Sequence, residues 1–166
     1  MGKNVQLLIL IGAPGSGKTT FARYILRTEE DWMRICHDEI RTMQFTKNIH
    51  SNQEIMIKEM IDAAIEALLK KQCNVLLDGY HCKKEKIDHY IEKFNHLADI
   101  SFKLFDVDKE ILIERCEKRF QTTGKHTSID TINKYINELS VLKRKFDFET
   151  RTKIIISPIN SSYPIR

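Results

Sequence analysis

The chain has 166 residues, 42% hydrophobic and 30% charged, the composition of one globular domain and not of a disordered polymer. Twenty-seven Lys and Arg stand against 23 Asp and Glu, a net charge of +4, which permits a polyanionic partner without requiring one. Cys36, Cys73, Cys82 and Cys116 form no CxxC pair and the His residues add no zinc spacing, so reduced thiols in a cytoplasmic protein are expected, and no apolar run is long enough for a membrane span or a signal-peptide core.

In chain order, residues 5–11 are an apolar run ended by Gly12, which predicts a strand buried on both faces. Residues 19–27 read as a helix and 33–36 as a short second strand. Residues 53–71 are the clearest helix: Ile57, Met60, Ile61, Ala64 and Leu68 fall on one stripe, and Ser51 and Glu54 have capping-box spacing. Residues 74–77 predict a strand ending at Asp78-Gly79. A helix over 86–97 follows, with Ile87, Tyr90, Ile91 and Phe94 on one face, then a strand over 100–105. Asp108 can cap a helix running to Phe120, with Leu112, Cys116 and Phe120 as its apolar stripe. The polar segment 121–127 reads as a loop, Ser128 can cap a helix to about Leu142, and 152–156 predicts a last strand stopped by Pro158.

Strands thus alternate with helices along a single domain over 1–166. The expected class is α/β, with a parallel five-stranded sheet and helices on both faces. Ligands in such sheets bind at the carboxyl ends of the strands. Three polar constellations fall there.

The first is Gly12-Ala13-Pro14-Gly15-Ser16-Gly17-Lys18-Thr19, which satisfies GxxxxGK[ST] between a strand and a helix. Three of the six glycines and one of the three prolines crowd into this stretch. Glycines let backbone N–H groups close around phosphate oxygens, and the following helix N-terminus adds free N–H groups and partial positive charge. Lys18 is placed for the β- and γ-phosphates and Thr19 for Mg²⁺. The Asn-Lys-x-Asp guanine signature is missing, since Asn133-Lys134 is followed by Tyr135-Ile136, and ATP is therefore expected.

The second, His37-Asp38-Glu39-Ile40-Arg41, reads as a turn after the second strand. A carboxylate there can accept a hydroxyl proton and orient the oxygen for in-line attack, with Asp38 nearest the strand end. Arg41 can hold an anionic acceptor. The bland alternative is an N-cap Asp in an i,i+3 ion pair. The third is Asp78, a candidate Mg²⁺ ligand, directly or through water, or else a turn residue. His81-Cys82 lacks the partners a metal pair needs.

Arg115 and Arg119 lie four residues apart on one helix face, a spacing that suits a phosphate between them. The segment after them can close as a lid, and a helical lid is expected over about 115–140. The alternative is a solvated basic face with pairs such as Glu114–Lys118.

These segments resemble the bacteriophage-type polynucleotide 5′-hydroxyl kinase family of phosphate-loop kinases. The resemblance covers about residues 8–142: Ile11 to Arg23 through the phosphate loop and Thr20, then Asp38-Glu39-Ile40-Arg41, Leu77-Asp78, Phe105-Asp106-Val107, the Arg115/Arg119 spacing, and Ile129-Asp130. It implies that Lys18 and Thr19, with the rest of the loop and Thr20, bind ATP and Mg²⁺. It also implies that Asp38 is the general base, that Arg41 engages the acceptor's phosphate, and that Asp78 is an active-site acid. Arg119 would be the lid arginine on the ATP phosphates, and Arg115 would lie near the nucleobase. Gly79-Tyr80-His81 departs from the family's Thr/Asn-rich turn.

The implied activity is transfer of the ATP γ-phosphate to the 5′-hydroxyl end of DNA or RNA. Lys83, Lys84, Lys86 and Lys143, Arg144, Lys145 could track the backbone. The alternatives are a kinase of a small-molecule hydroxyl, such as a metabolite, nucleotide sugar or antibiotic, and a non-catalytic ATP-binding module.

Overall fold

The structure is a computed structural model that describes residues 5–43 and 51–146. The elements in chain order are β1 (Gln6–Gly12), α1 (Lys18–Thr28), β2 (Trp32–Cys36), α2 (His37–Thr42), α3 (Ser51–Lys70), β3 (Asn74–Asp78), α4 (Lys84–Phe94), β4 (Asp99–Phe105), α5 (Lys109–Thr123) and α6 (Ile129–Lys145). Four strands form one sheet in the order β2-β3-β1-β4. Every pairing is parallel, with Leu8 opposite Leu76, Gly12 opposite Phe105 and Cys36 opposite Asp78. The predicted fifth strand over 152–156 lies outside the described residues.

The sheet is covered on both faces, which is why β1 and β3 read as continuous apolar runs without alternation. Leu7, Ile9 and Ile11 point to one face and pack with Ile57, Ile61, Ile65 and Leu69 of α3, Ile87 and Phe94 of α4, and Leu139 and Leu142 of α6. Leu8 and Leu10 point to the other face, against Phe21 and Ala22 of α1. A third cluster joins Ala13 of the first loop to Leu112, Cys116 and Ile132, and so seats α5 and α6 on that loop.

Two predicted stripes need correction. On α3 the buried line is Ile57, Ile61, Ile65 and Leu69; Met60 is 48% exposed, and Ala64 and Leu68 are only half-buried. The i+4 progression drifts slowly around the helix, and here it keeps the β-branched Ile residues against the sheet and turns Met60 outward. On α5, Leu112 and Cys116 are buried but Phe120 is exposed, because the helix has by then passed beyond the edge of the core. There Phe120 meets His126 in an edge-on ring contact.

Boundaries also move. The predicted turn at 37–41 is the short helix α2, α4 runs over Lys84–Phe94, and α5 continues to Thr123. Gly124 then ends α5 with φ of 70°, the left-handed C-cap conformation that glycine adopts without strain. Ser128 caps α6 as expected, its hydroxyl accepting from the Thr131 N–H at 3.1 Å. Asp108 occupies the N-cap position of α5 without a side-chain cap bond. The Ser51 side chain of the expected capping box lies outside what is described. All four cysteines are free, and among the described residues no helix is long and apolar enough to cross a membrane.

Candidate active site

Parallel pairing brings the ends of β1, β2 and β3 to one edge of the sheet, and the three sequence constellations meet there. The segment from Gly12 to Gly17 folds as a tight loop. A Cβ on Gly12 would stand 2.7 Å from Ser16 Oγ and 2.9 Å from the Phe105 backbone oxygen, so only glycine lets the loop pass β4. Gly17 is the N-cap of α1 with φ of 96°, a conformation costly for a residue with a Cβ. The N-terminus of α1 has no side-chain cap and no acidic residue in its first turn. It offers N–H groups and positive potential to an anion.

The Lys18 ammonium reaches back over the loop and donates to the carbonyl oxygens of Gly12 and Ala13, each at 2.8 Å, and to Ser16 Oγ at 3.2 Å. Burial lowers its pKa below the ordinary lysine value and Arg119 adds to this, against the pull of Asp78 and Asp38. Four groups from four separate segments thus share one electrostatic neighbourhood.

Thr19 Oγ1 donates to Asp78 Oδ2 at 3.0 Å. This joins the two residues expected to serve a metal, although they stand 59 positions apart in sequence. Both are hard oxygen donors of the kind Mg²⁺ prefers. With the uncapped helix end beside them, the residues present fit a nucleotide phosphate with its Mg²⁺. The sequence reading missed Arg34, whose Nε and Nη2 donate to the same Asp78 oxygen at 3.1 and 2.9 Å. Its Nη1 donates to Glu39 Oε1 at 2.7 Å. The available signal was a lone cation inside an otherwise apolar strand.

Asp38 sits in the first turn of α2, two residues beyond the Cys36–Asp78 register pair. Its Oδ1 lies 4.0 Å from Arg41 Nη1. Arg41 Nη2 also donates to Glu54 of α3 at 2.8 Å. Lys125, on the loop between α5 and α6, donates to Asp38 Oδ2 at 2.8 Å. Partial burial works to raise the Asp38 pKa, but the hydrogen bond and charge of Lys125, with Arg41, hold it below the ordinary carboxylate value.

His37 and His81 face each other with ring centroids 6.0 Å apart, on either side of Gly79, where a Cβ would come within 2.9 Å of His37 Cβ. Burial, with the charges of Lys86 and Arg41, lowers the His37 pKa to about 4. Burial, Lys86, His37 and Lys18 hold that of His81 well below its usual value. Both imidazoles are therefore neutral near pH 7. His37 Nδ1 and both ring nitrogens of His81 are buried without a partner among the described residues, as are Arg41 Nε and the Tyr80 hydroxyl. The Tyr80 ring meets Tyr135 of α6 edge-on at 4.2 Å.

On α5, Arg115 Nη1 reaches the Gly15 carbonyl oxygen at 3.4 Å, and Arg119 Nη2 donates to Thr127 Oγ1 at 2.7 Å. Arg119 Nε is buried and unpartnered among the described residues. The two guanidiniums thus do not clasp one another. One lies on the phosphate loop, and the other is near enough to Lys18 to lower its pKa. Glu114 and Lys118 pair on the outer face at 2.6 Å. Of the expected backbone-tracking cations, Lys84 pairs with Asp88 and Lys143 with Asp106. Lys83, Lys84 and Lys145 line one groove between α4 and α6.

Residues 7–139 match a family model described as an AAA domain. No match is found among curated proteins. Two solved structures, described as the Pnkp1/Rnl/Hen1 RNA repair complex and the Pnkp1/Rnl/Hen1 complex, are each 42% identical, with TM-scores of 0.82 and 0.66. The first match covers 89% of this chain and 48% of that one; the second covers 70% and 40%. The chain thus spans about half the length of those proteins or less. A gluconokinase from Sinorhizobium meliloti 1021 is 17% identical with a TM-score of 0.60, over 97% of this chain and 86% of that one. A sugar kinase from Janibacter sp. HTCC2649 is 16% identical with a TM-score of 0.61, over 95% and 87%. These last two share the fold.

Proposed function

Since the chain belongs to the AAA-domain family, we propose that it is an ATP-dependent polynucleotide kinase, which moves the γ-phosphate of ATP to the 5′-hydroxyl end of DNA or RNA. One observation carries this reading: a carboxylate paired with an arginine, Asp38 and Arg41, stands at the strand edge beside a complete phosphate loop. An ATPase switch has no use for a base directed at an acceptor hydroxyl. The 42% identity to proteins of an RNA repair complex supports a nucleic-acid acceptor. The sugar kinases, at 17% and 16% identity, support the fold alone.

In this reading the loop from Gly12 to Gly17, with Lys18, Thr19 and Thr20, binds the ATP phosphates, and Arg115 lies along the nucleotide. Mg²⁺, when bound with ATP, neutralises charge along the phosphates; Thr19 and Asp78 would hold it. Asp38 accepts the hydroxyl proton and orients the oxygen in line. Arg41 fixes the acceptor's phosphate. Lys18 and Arg119 stabilise charge on the transferring group. The segment over about 115–140 closes over the nucleotide as a lid and excludes water.

The test is transfer of radiolabelled γ-phosphate to 5′-hydroxyl DNA and RNA oligonucleotides, with gluconate and other sugars as competing acceptors. Labelled oligonucleotide formed by the wild type, and reduced at least about a hundredfold by Lys18→Ala and by Asp38→Ala, is the expected outcome. Label appearing only in the small acceptors would replace this reading with a metabolite kinase.

A further inference from the structure

The Asp78 carboxylate is 1% exposed, and three hydrogen bonds converge on its Oδ2: one from Thr19 and two from Arg34. Among the described residues no side chain bonds to Oδ1. Arg34 is itself largely buried, with its side chain 13% exposed. A guanidinium that places two N–H groups on one carboxylate oxygen does two things. It fixes which oxygen is left for another ligand, and it cancels the charge that would attract a cation. The third arm of Arg34 goes to Glu39, at the exposed end of the same strut.

We propose that Arg34 makes metal binding conditional on nucleotide: it neutralises Asp78, so a divalent cation does not settle on the Thr19–Asp78 pair until ATP phosphates supply the missing negative charge. The inference rests on the reading that this pair serves the metal of a bound nucleotide. Arg34 is then a positioning residue that acts through Asp78. The order of events follows from electrostatics. With Arg34 in contact, the buried pair presents little net charge to a dication. With the phosphates present, the added anionic oxygens outweigh the guanidinium. Metal therefore enters as its nucleotide complex, and free Mg²⁺ does not occupy the site ahead of ATP.

Mn²⁺ binding, followed by electron paramagnetic resonance on the full chain with and without the analogue AMP-PNP, tests this. Wild type should bind Mn²⁺ weakly alone and at least about tenfold tighter with AMP-PNP. Arg34→Gln, which keeps hydrogen-bonding capacity and loses the charge, should bind Mn²⁺ alone at least about tenfold tighter than wild type. Arg34→Lys should stay near wild type, and so should Glu39→Gln, which keeps an acceptor for the outer arm and removes only its negative charge. Should Arg34→Gln fail to fold, Arg34→Ala with added guanidinium provides the comparison, and the guanidinium should return Mn²⁺ binding to the wild-type level. Equal Mn²⁺ affinity of wild type and Arg34→Gln without nucleotide overturns the inference and leaves the kinase reading intact. Absence of Mn²⁺ binding even with AMP-PNP overturns the metal reading itself.

Discussion

The Lys125 ammonium lies 2.8 Å from Asp38 Oδ2, across 87 residues of sequence, and ties the α5–α6 loop to the carboxylate at the end of β2. In the proposed role of base, Asp38 is masked by this ion pair, and an acceptor hydroxyl would have to take the place of the ammonium. Lys125→Ala is expected to lower the acceptor KM near neutral pH. It should also move the acid limb of the kcat/KM profile upward, because the free enzyme's Asp38 loses the partner that depresses its pKa. Melting temperature should hardly change: both side chains are more than half exposed, at 57% and 55%, and such pairs contribute about 0–1 kcal/mol. An acid limb that stays in place would show that Lys125 does not control Asp38.

Lys18→Ala removes the cation nearest the loop carbonyls. Loss of one preorganised charge-stabilising donor costs about 10²–10³ in kcat, and phosphate transfer should fall by that factor. Loss of a general base costs about 10²–10⁴, so Asp38→Ala should fall as far in transfer while its affinity for ATP stays near that of wild type. Weakened ATP affinity in Asp38→Ala would place Asp38 on the nucleotide side of the crevice.

Asp78→Ala should be costly to the fold as well as to the chemistry. It leaves the largely buried Arg34 with Glu39, at the exposed end, as its remaining ion partner, a defect near the lower end of the cost of a broken buried pair, about 3 kcal/mol. For a domain of this size that corresponds to a fall of about 10 °C in melting temperature. Asp78→Asn, which still accepts a bond, should fall by less. Equal stability of Asp78→Ala and wild type would mean that the Arg34 contact contributes nothing.

Ile61→Ala, at a fully buried position of α3, should destabilise by about 2–5 kcal/mol. Met60→Ala, one residue away and 48% exposed, should stay within about 0.5 kcal/mol. Urea unfolding of the two variants separates the observed core stripe from the one expected on periodicity.

His37 carries a pH signature. Its pKa is about 4 in the fold against an ordinary 6.5. Between these values the unfolded chain binds a proton that the native chain does not, so stability falls as pH drops from about 6.5 toward 4. The linked loss reaches about 3 kcal/mol from this residue. Chemical denaturation from pH 7.5 to 4.5 should show the slope, and His37→Gln should reduce it, leaving the share that His81 contributes with the same sign.

Much of this arrangement can be read from local pattern, because local pattern controls it. The phosphate loop demands glycines at set spacings, and a strand buried on both faces demands an unbroken apolar run such as Leu7 to Ile11. Asp38, Arg41 and Asp78 could be placed at one edge because parallel strands align their ends. Arg34, Lys125 and Glu54 could not be found that way. Each owes its position to a partner 13 to 87 residues distant; the lone cation in β2 hints that Arg34 has a partner but does not say which. Met60 and Phe120 were misplaced for a related reason: helical periodicity says which residues share a face and is silent on where the neighbouring layer ends.

β2 passes into α2 without an intervening loop, since Cys36 is both the last strand residue and the helix N-cap. Asp38 is therefore carried on an extension of the sheet, and its distance from Asp78 is a matter of strand register. A one-residue insertion after Cys36 would carry Asp38 out of reach while leaving the sheet and the phosphate loop assembled. Diversification toward other acceptors has little room to act on such a rigid stem. The freedom lies in the parts that arch over it, Tyr135 on α6 and the Lys125 loop, where chain can be lengthened or exchanged without moving a strand.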